Sequence, residues 1–131
     1  MNKKRIQPSN MINSPVFSQA VEISNTSATI YVGGQNAVDR EGAIVGKDDF
    51  AVQCKQALSN LKTVLESADC SIGSVVKWTI FMVQGNDPRL GFKAFQEVFG
   101  APEIPPVLTV IQVAGLANPD CLIEVEAIAV K

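Results

Sequence analysis

Two segments near the end of the chain constrain its fold most. Residues 107–113 (VLTVIQV) and 122–130 (LIEVEAIAV) are rich in β-branched residues and mostly apolar at both odd and even positions. Side chains of a strand alternate between the two faces of its sheet, so these strands place apolar groups on both faces. One face is expected to be covered by helices of the same chain. The other, still apolar, needs a second cover, and the simplest is another copy of the chain. The pattern therefore predicts an oligomer.

Further elements follow from periodicity. Residues 16–23 and 28–33 read as strands separated by a turn at Asn25-Thr26-Ser27. Gly33-Gly34 ends the second strand, and 38–46, with Asp39, Gly42 and Gly46, suits a hairpin or loop. A helix follows, capped by Asp48 or Asp49. Its apolar stripe runs through Phe50, Cys54, Leu58, Leu61, Leu65 and Ala68. Gln53, Lys55, Gln56, Ser59, Asn60, Lys62 and Glu66 are assigned to the opposite, solvent-facing side. Residues 75–84 form a long strand with Val76, Trp78, Ile80 and Met82 on one face. Asp87 and Pro88 start a second helix, whose apolar side holds Phe92, Phe95, Val98 and Phe99 and which ends at Gly100. The order is ββαβαββ: an α+β fold, a mixed sheet with two helices on one face.

Composition narrows the function classes. The 131 residues are read as a single domain over 1–131, with 1–13 a flexible N-terminal extension and Lys3, Lys4 and Arg5 a solvated terminal cluster. Eleven basic against thirteen acidic residues, a net charge of −2, give no electrostatic footprint for nucleic acid. No apolar run is long enough to span a membrane, and Met1–Asn13 lacks the apolar core of a signal peptide. Asn25-Thr26-Ser27 is a sequon by pattern and a turn by context. The three cysteines, Cys54, Cys70 and Cys121, contain no CxxC pair, which fits reduced thiols in a cytoplasmic protein. Histidine is absent, which removes Ser-His and Cys-His nucleophiles and the commonest metal ligand; no metal site is expected. No GxGxxG or GxxxxGK[ST] follows Gly33-Gly34, so these glycines are read as permitting a tight turn or a close backbone approach to a ligand.

Five stretches together resemble a known family: Phe17-Ser18-Gln19-Ala20-Val21, Ile30 to Gln35, Gln53 to Lys62, Ser71 to Lys77, and the closing run Ile123 to Val130. The family is the Rid (YjgF-like) group, the reactive intermediate deaminases, also called endoribonuclease L-PSP. The resemblance implies a chorismate-mutase-like fold and a homotrimer with small-molecule clefts between subunits. It further implies hydrolysis of imines and enamines from amino-acid metabolism without a cofactor. In deaminase members an arginine grips the substrate carboxylate through a bidentate fork and a glutamate positions or activates water.

This sequence departs from that pattern. The arginine of the Pro-x-Arg-Ser stretch falls on Leu108 in Pro106-Val107-Leu108-Thr109-Val110, the cysteine-type position on Val110, the tyrosine on Phe17 and the glycine-turn serine on Gly33. The glutamate is kept as Glu124. An anionic substrate would lose a charge-assisted contact worth roughly 1.5–3 kcal/mol. The cleft is therefore expected to prefer an uncharged or more apolar ligand. Phe17, Gly33, Gly34, Leu108, Thr109 and Val110 are the expected ligand-binding residues, and Glu124 the catalytic one. Arg89 is either a substitute pocket arginine or a solvated first-turn residue. Thr109 either offers its hydroxyl to the cleft or is a plain strand residue, and Glu126 is read as structural. A non-catalytic ligand-binding or regulatory trimer is the alternative to a deaminase; RNA cleavage is the weakest reading, because charge is balanced and histidine absent.

Overall fold

The computed structural model describes residues 1–131. Its strands are β1 (Asn2–Ile6), β2 (Ala20–Ser24), β3 (Thr29–Gln35), β4 (Val75–Val83), β5 (Val107–Val113) and β6 (Ile123–Val130), and its helices α1 (Phe50–Ser67) and α2 (Pro88–Phe99). The ββαβαββ order is present, preceded by one further strand. β1 and β2 form an antiparallel ribbon; the other four strands form a mixed sheet in the order β3-β6-β4-β5, with β4 and β5 parallel.

The leading strand corrects the reading of Lys3 and Arg5 as part of a solvated end. Lys3 Nζ donates to the carbonyls of Val75 (2.6 Å) and Ile104 (3.0 Å), and Arg5 Nη2 to those of Ser14 (2.5 Å) and Phe17 (3.0 Å). Burial pushes the Lys3 ammonium below its ordinary pKa. The expected first strand also begins later, at Ala20 rather than residue 16. Ser18 instead bonds the proline-rich segment, through its N–H to Pro106 (3.0 Å) and its hydroxyl to Pro105 (2.5 Å).

Asp49, not Asp48, caps α1, its carboxylate accepting from Val52 N–H at 3.1 Å; Asp48 takes a left-handed turn conformation at φ 61°. Asp87 caps α2, followed by Pro88, and Gly100 closes it at φ 71°. α1 lies over β3 and β6, and α2 packs beside α1. The core joins Cys54, Ala57, Leu58, Leu61 and Leu65 of α1 to Val75, Trp78 and Met82 of β4 and Ile123, Val125, Ala127 and Ala129 of β6. The Trp78 ring meets Phe95 and Phe99 of α2 edge-on, at 4.9 and 6.0 Å between centroids.

One polar residue expected on the solvent side of α1 sits in this core. Gln53 is fully buried. Its amide nitrogen donates to the carbonyls of Gly46 (3.1 Å) and Asp120 (2.9 Å), and its amide oxygen accepts from Leu122 N–H (2.8 Å). Asn60 makes a second such link, donating to the carbonyls of Asn36 (3.0 Å) and Val38 (2.8 Å). These amides tie α1 to the loop after β3 and to the turn that leads into β6.

Candidate functional site

The expected site residues fall on two faces of the four-stranded sheet. Along β6, Ile123, Val125, Ala127 and Ala129 are buried under the helices, so Glu124, Glu126 and Ile128 point to the face the helices leave open. Glu124 stands opposite Phe81 and Glu126 opposite Thr79. On β5, Thr109 stands beside Thr79 on this open face and is exposed. A shallow cavity of 320 Å³ runs across it, lined by Tyr31, Gly33, Lys77, Thr79, Glu126 and Ile128 among others.

The glycine pair meets Glu124 at a β-bulge. The register between β3 and β6 shifts between Val32 and Gln35, the stretch that holds Gly33 and Gly34. A Cβ on Gly34 would overlap the Glu124 carboxyl group and lie 2.9 Å from its Cγ, whereas one on Gly33 would meet nothing. Gly34 is thus the seat of the Glu124 side chain.

Leu108 and Val110 point the other way. They stand in register with Trp78 and Ile80 and line an apolar pocket of 130 Å³ between the sheet and α2, with Phe92 and Phe95. Val16, rather than its neighbour Phe17, lines this pocket. Phe17 is half-buried, held through its carbonyl by Arg5. Within one copy, then, the structure brings Gly34 to Glu124 and Leu108 to Val110 but keeps the two pairs on opposite faces.

Arg89 joins neither group. Its side chain is 89% exposed and forks onto the Asp87 carboxylate, with contacts of 2.8–3.0 Å. That hydrogen-bonded pair holds the Asp87 carboxyl below its usual range and raises Arg89. All three cysteines are buried. Burial pushes the Cys54 thiol up to about 12, and burial, together with the charges of Glu124 and Asp120, raises Cys121. Neither is a thiolate at neutral pH, so neither is poised as a nucleophile. The Trp78 indole N–H is buried without an acceptor. Sequence reading missed Val16 and Gly91 as pocket walls. Gly91 stands at the end of the first turn of α2.

Comparison with known proteins places the chain. The family model described as Endoribonuclease L-PSP matches residues 10–131. A RutC family protein of Pyrococcus abyssi is 36% identical over 115 residues, covering 88% of this chain and 86% of that protein. The 2-iminobutanoate/2-iminopropanoate deaminase of Mus musculus is 32% identical over 115 residues, covering 88% and 81%. The crystal structure of YyfB from Yersinia pestis, a protein of unknown function of the conserved Rid family, superposes over the whole of both chains with a TM-score of 0.86 at 34% identity. The chain belongs to the endoribonuclease L-PSP family, the Rid (YjgF-like) group, and has its α+β fold. No helix is long and apolar enough to cross a membrane.

Proposed function

We propose that this protein works as a homotrimer, binds a small, weakly charged metabolite in clefts between copies, and hydrolyses imine- or enamine-type compounds there. The observation that carries this reading is the seat of Glu124: a carboxylate held against a glycine that leaves no room for a side chain of its own. In the proposed reaction Glu124 accepts a proton from water as the water oxygen bonds to the imine carbon. Glu124 passes that proton to the imine nitrogen, giving the amino alcohol; the hydroxyl proton then transfers to the nitrogen as the C–N bond breaks, which leaves a ketone, ammonia and the Glu124 carboxylate restored. No redox partner and no cofactor are required. The deaminase name of the mouse relative supports the reaction class.

The division of the site residues between two sheet faces supports a cleft built from two copies. A second copy is what would bring a Glu124 to the Leu108 wall of the first. Tyr31, 77% exposed, and the exposed Ile111 lie on the open face beside the half-buried Phe81 and Ile128, apolar surface that a partner would cover. Light scattering at micromolar concentration is expected to give three times the mass of one chain. A monomer would remove the shared cleft.

Leu108 and Val110 make the wall apolar where an arginine and a cysteine-type residue would make it polar. That wall also favours the second reading, a trimer that binds a ligand without turning it over. Imine hydrolysis separates the two. With 2-aminoacrylate and longer analogues generated in situ, the wild type is expected to exceed the spontaneous rate, and Glu124→Ala to lose about 10²-fold or more of that excess. Hydrolysis at the spontaneous rate by the wild type would leave the binding protein.

A further inference from the structure

We infer that the pocket between α2 and the sheet is the subsite for the ligand's hydrocarbon part, and that it selects a compact branched or cyclic group of about four to six carbons. The inference rests on the small-molecule reading above and names the class of molecule that reading left open. Twelve of the pocket's fourteen lining residues are hydrophobic, and the set contains no charged side chain. Its 130 Å³ is close to the size of an engineered apolar cavity, about 150 Å³, that stays dry and takes up benzene. A charged group would be desolvated there without a partner, so the polar end of the ligand has to lie outside, beyond Leu108 and Val110.

Gly91 gives independent support. It lies inside α2, where glycine is a poor helix former, and its φ is not in the left-handed region. An added Cβ would meet only the Cys54 sulfur, at 3.8 Å, an ordinary contact. Neither backbone nor packing calls for glycine at this position. Gly91 is itself one of the pocket's walls, and apart from Cys54 nothing lies within 4 Å of where its side chain would start. Val110 and Phe92, 49% and 42% exposed, place another part of the wall at the protein surface, where a ligand can enter.

Benzene is the probe, and Trp78 the reporter. Trp78 is the only tryptophan in the chain and forms part of the pocket wall. Titration of the whole protein with benzene is expected to give a saturable change in tryptophan fluorescence and a higher unfolding temperature. Both responses should be lost in Gly91→Leu, which fills the pocket from the helix. They should also be lost in Val110→Phe, which fills it from the exposed edge of β5 and serves if the first variant does not fold. The absence of a saturable response in the wild type overturns the subsite. So does an undiminished response in a folded filled variant, because benzene would then lie elsewhere. Glu124-dependent hydrolysis with no benzene site would leave the proposed reaction standing and remove only this inference. A benzene site without hydrolysis would keep the subsite and reduce the protein to a binder.

Discussion

Gly34→Ala is expected to lower imine hydrolysis about as far as Glu124→Ala does, by 10²-fold or more, while the protein stays folded. The new methyl would occupy the place of the Glu124 carboxyl group. The Glu124 side chain has to rotate away from Cγ outward, and because it is flexible and only partly buried it does so at modest cost to the fold. The backbone of Gly34 is not in the left-handed region, and alanine adds no strain there. The two variants should therefore share a depressed kcat/KM and keep unfolding temperatures near that of the wild type. Full activity in Gly34→Ala would show that the position of Glu124 does not matter to the reaction. Unfolding of the variant would show that the carboxyl is locked in place by more than its own rotamer.

Gln53→Leu should have the largest effect on stability, about 2 kcal/mol or more. Leucine has a similar volume but leaves the carbonyl of Asp120 and the N–H of Leu122 without their partner, while the Gly46 carbonyl keeps its bond from Asp49 N–H (2.9 Å). Each of these part-buried backbone groups left unpaired costs up to about 1–3 kcal/mol. Urea unfolding measures the change directly. A loss under about 1 kcal/mol would mean that water reaches these groups once the amide is gone. The turn freed by the change runs directly into β6, so a folded Gln53→Leu protein should also hydrolyse imines more slowly.

Gln53 also marks where sequence reading ends. The stripe from Phe50 to Leu65 identified α1 and its buried side, because spacing on a helix is a local property. Gln53 neighbours that stripe, yet its polarity assigned it to water. Its burial depends on backbone groups of Asp120 and Leu122, 67 and 69 residues away, which no local pattern reveals. Lys3 and Arg5 escaped for the same reason: their inward direction follows the two-residue period of β1, but their partners are carbonyls scattered over residues 14–104. The caps at Asp87-Pro88, the strand at 107–113 and the helix-covered sheet were legible because each rests on neighbours in sequence. For the candidate site the sequence offered single residues and no arrangement of them. The alternation along β5 and β6 already separates Leu108 from Thr109 and Glu124 from Val125, but how the faces of different strands combine is set by register.

The proposed function turns on an apolar wall at Leu108 in place of an arginine, with Glu124 retained. Hydrolysis of an anionic 2-imino acid is compared with that of its neutral methyl ester, each corrected for the spontaneous rate. kcat/KM is expected to favour the ester by about tenfold or more, and Leu108→Arg to shift the preference toward the anion, because one charge-assisted contact is worth roughly 1.5–3 kcal/mol. A wild type that prefers the anion would rule out an apolar cleft, since a cation elsewhere in the protein would then be binding the carboxylate.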